Sequence, residues 1–378
     1  MKFLKDKILE LRPLFKKGAK YEKFHTLFDG FATFLFTPDE VTHQGTHIKA
    51  GIDLKRTMFI VVIALIPALL FGMWNVGHQH FLSLGEFVGI GDGFVEKFIY
   101  GAIKVIPVVI VSYGVGLGLE FFIASKKGHP INEGFLVSGM LIPLIMPPAI
   151  PLWMVAVATI FAVIFAKEVF GGTGMNVLNV ALIARVFLFF AYPTYMSGDI
   201  VWIAEKADSY SGATALANSI NGAPGFSAYE MFMGFIPGSI GETSKLAILI
   251  GAAILILTGI GSWKVMVSVL AGAGIMGLIF NAIGANAFMN VPFYNHFLMG
   301  GLLFGAVFMA TDPVTAAQTE RGKWYYGVLI GMIAVMIRVF NPAYPEGIML
   351  AILFGNVMAP LIDYVVVQAN IKRRLTRA

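Results

Sequence analysis

Three carboxylates stand where an apolar chain has least use for them: Glu120 after the glycine-rich YGVGLGLE, Asp312 in FMATDP and Asp363 in APLIDYVVV. An ionised side chain near the bilayer centre costs roughly 2.5–3.5 kcal/mol on insertion scales, so each needs a partner or a task. Carboxylates beside the free carbonyls of a broken helix are hard oxygen ligands that suit Na⁺, and they serve equally well as proton carriers. A helix-end cap at Asp312 and a headgroup-level position for Asp363 account for them just as simply. A second group is KEVFGGTGMNVLN, residues 167–179. Its glycines let backbone approach a ligand, and Asn176 and Asn179, one turn apart, offer donors and acceptors to a ring. A tight re-entrant turn whose Asn side chains satisfy broken-helix backbone is the plainer reading. The third is ADSYSGATALANS, residues 207–219, a run of small and hydroxylated residues between hydrophobic blocks. Alone it reads as a loop.

The elements that must hold these residues are membrane helices. Of 378 residues 57% are hydrophobic and only 13% charged, about half the usual charged share, which excludes a soluble globular chain. The basic N-terminal stretch has no apolar core and no small-residue cleavage site, so it is not a signal peptide. The net charge of +5 sits in flanks and loops, where it reports topology and not nucleic-acid binding. With no cysteine the chain makes neither a disulfide nor its own thiolate-ligated cluster. The seven histidines fall mostly in loops and flanks, which disfavours a bis-His haem, so a redox role points to an organic cofactor. Phosphate-loop, HExxH and nucleophile-elbow motifs are missing, and the chain does not read as a self-contained enzyme.

About ten apolar stretches are long enough to cross the hydrocarbon: 57–76, 100–124, 134–147, 150–169, 177–193, 245–261, 265–284, 294–311, 325–340 and 346–368. Eleven Lys and Arg precede residue 57, which sets that end in the cytoplasm. Alternation then puts Lys126, Lys127, Lys167, Lys264, Arg321, Lys323 and the tail IKRRLTR inside, leaves Lys97, Lys206 and Lys245 outside, and places Arg338 near a helix end. The expected organisation is a cytoplasmic extension 1–56, five helices in 57–193, an outer loop 194–244, five helices in 245–368 and a cytoplasmic tail 369–378. Short Gly/Pro-broken pieces in both halves, and the likeness of NEGFLVSGMLIPLIMPP to PEGIMLAILFGNVMAPL, point to inverted repeats with a midplane site.

Taken together, DSYSGAT, AKEVFGGTG, FLFFAYP, IPGSIGE, FMATDPV, RVFNPAYPEGIMLAILFGN and NIKRRL resemble the family of B subunits of the bacterial Na⁺-translocating NADH:quinone reductases, and the likeness runs over nearly the whole chain. The most specific motif is Asp208-x-x-Ser211-Gly212-Ala213-Thr214, which matches the family's flavin-attachment pattern D-x-x-(S/T)-G-A-T at every fixed place. In that family the Thr carries FMN through a phosphoester, made by a flavin transferase outside the cytoplasmic membrane. The topology independently sets Thr214 on that side. Small neighbours suit a hydroxyl that must enter a foreign active site in extended form. The D subunits of Rnf ferredoxin:NAD⁺ complexes share the membrane part, but the long basic extension before the first span favours the quinone reductases.

The resemblance implies an all-α fold of about ten transmembrane helices in two inverted five-helix repeats, similar to urea and ammonium channels. It implies FMN on Thr214, riboflavin near Asn176 and Asn179, a quinone site near the cytoplasmic face with Gly116, Glu133 and Phe135, and acidic positions for Na⁺ uptake at Asp29, Glu120, Asp312 and Asp363. Val180 departs from the Pro usual after the second Asn. The implied partners are subunits A, C, D, E and F, the transferase and a membrane quinone, in a bacterial cytoplasmic (inner) membrane with both termini cytoplasmic. The broken helices also fit a rival class, a channel or secondary transporter.

Overall fold

The computed structural model describes every residue except 1, 16–20, 22–24, 37–41, 43, 47–50, 128–133, 208–209, 342–345 and 378. Two amphipathic helices, α1 (Lys2–Leu11) and α2 (His25–Leu35), precede the apolar part. Then follow α3 (Leu54–Leu84), α4 (Phe94–Lys127), α5 (Phe135–Leu144), α6 (Leu152–Ala162), α7 (Val180–Ala191), α8 (Ala215–Ser219), α9 (Ala228–Met233), α10 (Lys245–Leu257), α11 (Trp263–Ile283), α12 (Asn295–Leu298), α13 (Leu302–Phe304), α14 (Gly322–Phe340) and α15 (Ile348–Leu375). α6 continues as a π-turn, Val163–Lys167, and a 3₁₀ turn, Glu168–Phe170.

Among the described residues six helices are long and apolar enough to span a bilayer: Leu54–Leu84, Phe94–Lys127, Leu152–Phe170, Trp263–Ile283, Gly322–Phe340 and Ile348–Leu375. Their exposed faces are as apolar as their buried ones. Along α4, Ile99, Ile103, Ile106 and Ile110 face outward at helical spacing, while Val105, Val108, Ser112, Gly116 and Glu120 form the buried stripe. A helix hydrophobic all round suits lipid on one side and protein on the other, so the chain is a multi-pass membrane protein.

Four of the expected spans take other forms. α5, α7 and α10 are shorter apolar helices, and 294–311 is broken into α12, α13 and a π-turn over Gly305–Met309. The exposed carbonyls of these breaks are met inside the protein. The end of α5 at PPAIP is tied by Gly241 N donating to Leu144 O at 2.7 Å and Ile240 N to Met146 O at 3.2 Å. The long helices pack as close pairs, α3 with α4 and α11 with α14, and α14 also packs on α15. Small residues permit this: a Cβ on Gly101 of α4 would lie 1.7 Å from Met73 O of α3, and one on Gly331 of α14 2.0 Å from Val269 O of α11.

The first span runs well past its expected end at residue 76. The added turns of α3 bury His78, Gln79, His80 and Ser83, and Asn75 just before them is buried as well. Several of these side chains hold backbone of the loop that follows α7. Asn75 Nδ2 donates to Ile236 O at 3.0 Å, His80 Nδ1 lies 2.9 Å from Ala204 O, and Ala207 N donates to Ser83 Oγ at 3.4 Å. A helix rich in His, Asn and Gln looks like a loop to hydropathy, yet here loop backbone meets its polar groups.

Candidate functional site

Thr214 is the N-cap of α8, its Oγ1 accepting from Ala217 N at 3.3 Å. The residue borders a cavity of about 360 Å³, within the range of small-molecule sites. Trp202, Ile220 and Ile236 supply apolar wall, and Asp199, Ser239 and Glu242 polar wall. Ser211 is exposed and its Oγ accepts from Ala213 N at 3.4 Å, whereas Gly212 is buried. A Cβ there would lie 2.4 Å from Asp199 O, so the glycine seats the segment on its neighbour as well as keeping it slim. Asp208 lies outside the described residues.

The loop before Thr214 is clamped to α4. Lys104 Nζ and Tyr100 OH donate to Glu205 at 2.6 and 2.9 Å, and these bonds hold its carboxyl below the usual carboxylate range. Glu205 itself has φ of 50°, a left-handed conformation that these contacts maintain.

Beneath the cavity lies a buried ionic cluster. Arg185 of α7 donates from Nη1 to Glu242 Oε1 at 2.9 Å and from Nη2 to Ser239 Oγ at 3.2 Å, and also pairs with Glu346. Lys245, at the start of α10, donates to the carbonyls of Glu242, Thr243 and Gly300 at 2.7, 3.3 and 3.0 Å. Arg338 of α14 donates to the carbonyls of His296, Met299 and Glu346 at 2.7, 3.0 and 3.4 Å. Arg185, Lys245 and Arg338 are at most 3% exposed. Sequence reasoning missed the cluster, although its signal was present: Arg185 sits in the middle of the apolar NVALIARVFLFF. Lys245 and Arg338 were expected at loop and helix end.

A second, smaller cavity of about 80 Å³ is lined by Thr173, Asn176, Asn179, Lys167 and Asp312. Asn179 caps α7, its Oδ1 accepting from Leu182 N at 3.2 Å, and its Nδ2 donates to Asp312 Oδ2 at 3.4 Å. Asn176 lies in the turn before α7 and donates to Leu178 O at 3.3 Å. The polar set suits the edge of a flavin ring, but the space is well short of what small-molecule sites offer. In this form riboflavin does not fit there.

The acidic positions are dispersed, and Glu120, Asp312 and Asp363 are each engaged. Asp312 accepts from Val314 N at 3.1 Å and Thr315 Oγ1 at 3.0 Å. Asp363 accepts from Gln318 N at 2.7 Å and Thr319 N at 2.9 Å, tying α15 to the turn before α14. Glu120 pairs with Lys167, and both are buried. Asp29 falls in α2, and Glu133 lies outside the described residues. No group of three His, Cys, Asp or Glu poised for a metal occurs among the described residues.

Gly116 and Phe135 are brought into contact. Phe135 is fully buried, and a Cβ on Gly116 would lie 1.9 Å from its ring, so α4 and α5 meet through this pair. Gly116→Ala is expected to overpack that contact by about 1–3 kcal/mol. It lowers Tm of the detergent-solubilised protein, and Gly116→Ala with Phe135→Leu recovers part of the loss. Equal Tm for Gly116→Ala and the native chain contradicts the contact.

The helices, their broken ends and the cavity beside Thr214 define a polytopic α-helical membrane protein with an interior ionic core. The chain belongs to the NQR2, RnfD, RnfE family, whose model matches residues 41–372. It is 47% identical to the B subunit of the Na(+)-translocating NADH-quinone reductase of Chromohalobacter salexigens, covering 99% of this chain and 96% of that one. It is 48% identical to the protein of the same name from Stutzerimonas stutzeri and 47% to that from Azotobacter vinelandii, covering 96% of each chain in both comparisons.

Proposed function

We propose that the chain is the membrane subunit of a Na⁺-translocating NADH:quinone reductase and that it carries FMN as a phosphoester on Thr214. The observation that carries the attachment is the coincidence of the full Asp208–Thr214 pattern with a place for Thr214 on the wall of a cavity of about 360 Å³. When bound, the flavin supplies electron-transfer chemistry that no side chain of this chain possesses. The chain's own residues hold the ring's surroundings: Trp202, Ile220 and Ile236 offer apolar wall, and Ser239 and Glu242 offer hydrogen bonds.

In this reading ten spans form two inverted five-helix repeats in the bacterial inner membrane, with both termini cytoplasmic and Thr214 periplasmic. The likeness of NEGFLVSGMLIPLIMPP to PEGIMLAILFGNVMAPL supports the repeat. Subunits A, C, D, E and F and a flavin transferase complete the system, and a quinone takes the electrons near Gly116, Glu133 and Phe135. Riboflavin near Asn176 and Asn179 requires the inner cavity to widen.

In-gel fluorescence tests the attachment. The denatured band of this chain, produced in a host with the transferase, is expected to fluoresce, and a dark band contradicts it. For the cation path, Asp363→Asn is expected to lower Na⁺-dependent quinone reduction by about tenfold through loss of its charge. Unchanged Na⁺ dependence removes Asp363 from the path.

A further inference from the structure

We propose that Thr214 receives its flavin before the segment around it docks on the helix bundle, so that the transferase acts on the undocked segment and not on the folded surface. This rests on the reading of Thr214 as the attachment residue and adds the order of the two events.

In the docked form Thr214 is half-buried on the cavity wall, and close neighbours on both sides of it are inside the protein. Gly212 before it sits against Asp199 O, and Ala215, Leu216 and Ser219 after it are at most 4% exposed. An enzyme that modifies a peptide takes it held away from its own fold, and here the chain turns into α8 directly after Thr214. The cavity of about 360 Å³ is the size of a small-molecule site. It does not also admit the active-site wall of a second protein. The transfer forms the bond from Thr214 Oγ1 to phosphorus and breaks the pyrophosphate bond of a flavin adenine dinucleotide; AMP leaves and the hydroxyl proton is released. Hydroxyl, dinucleotide and transferase must therefore meet outside the docked form.

Two sets of contacts outside the attachment pattern hold the docked form. On the far side of Thr214, Ser219 Oγ of α8 meets Met299 Sδ at 3.0 Å, and Leu216 packs over Gly300, where a Cβ would lie 2.4 Å from its Cδ1. On the near side, Glu205 takes Tyr100 and Lys104 of α4, Ala207 N donates to Ser83 Oγ, and Lys206 Nζ donates to Tyr210 O at 2.9 Å. The near set is the weaker. Its ion pair is open to water, with the Lys104 and Glu205 side chains 29% and 64% exposed, so it gives way at little cost and salt weakens it. The rate of attachment follows the population of the undocked form. A transferase that arrives late finds its substrate closed.

The test follows in-gel fluorescence of this chain with time after the whole complex, purified from a host without the transferase, is given the transferase, flavin adenine dinucleotide and Mg²⁺. Leu216→Ala, which empties the contact over Gly300, is expected to take up the flavin about tenfold faster than the native chain. Glu205→Gln, which weakens the clamp on α4, is expected to do so about threefold faster. Raised salt speeds the native chain relative to Glu205→Gln, because the ion pair is what salt screens. Faster modification after the loss of either of two separate contacts does not arise from damage to a recognition surface. If Leu216→Ala does not assemble, Glu205→Gln and the salt series decide. A native complex that takes up flavin as fast as the variants, or faster, overturns the inference and leaves the attachment standing. A native band that stays dark even when the transferase is present during synthesis overturns both.

Discussion

Thr214→Val is expected to yield a chain of near-native abundance with no covalent flavin and no transfer of electrons from NADH to quinone by its complex. Valine keeps the β-branched shape of threonine and removes one oxygen. The structural cost is the N-cap bond to Ala217 N, about 0.5–2 kcal/mol, and it falls on a five-residue helix at the cavity edge. Loss of the flavin is then a loss of the nucleophile and not of the fold. Thr214→Asn, which caps without a hydroxyl, separates the two effects, and Thr214→Ser restores both hydroxyl and cap. It is expected to recover in-gel fluorescence, and a dark serine variant with a fluorescent native band would show that more than the hydroxyl is read.

The second large effect is on stability. Arg185→Ala leaves Glu242 and Glu346 buried without the guanidinium that joins them. Breaking a buried pair by removing one partner costs roughly 3–5 kcal/mol, because the remaining charge has neither water nor counter-ion. The variant is expected to lose most folded protein from the membrane or to melt far below the native chain. Arg185→Lys does not restore it, since one ammonium lacks the fork that reaches Glu242, Ser239 and Glu346 together. Arg185→Met with Glu242→Gln and Glu346→Gln removes the uncompensated charge and is expected to recover much of the loss. Full stability of Arg185→Ala alone, measured by Tm in detergent, contradicts the role given to this arginine.

What the sequence made legible follows from what hydropathy measures. The long apolar helices and the two breaks at PPAIP and GGTG stood out, because runs of apolar residues and helix breakers carry local signals. The end of α3 did not, because His78, Gln79 and His80 look like loop residues until the loop that follows α7 is folded against the helix. The basic residues misled for a related reason. Lys97, Lys167, Lys245 and Arg338 were counted as flank and loop markers, yet all four are buried. Lys167 pairs with Glu120, a carboxylate 47 residues away, and Arg338 reaches the carbonyl of His296, 42 residues away. No window of local sequence contains both halves of such a pair.

The candidate site divides in the same way. Thr214 was legible because its motif is contiguous, and the fold adds the reason for Gly212, which must clear Asp199 O. The ionic core was not, because Arg185, Glu242, Lys245, Arg338 and Glu346 come together only through α7, α10, α14 and the start of α15. Asp312 and Asp363 were legible as costly residues, and their fold partners are turns that each of them caps.

Cleavage at Lys206 and Lys245 releases one peptide that contains Thr214. Mass spectrometry of this peptide, from the chain purified after production with the flavin transferase, tests the central claim most directly. The expected result is the added mass of one FMN less water, with fragment ions that localise it to Thr214. An unmodified peptide, or the same mass on Ser209, Ser211 or Ser219, would contradict it.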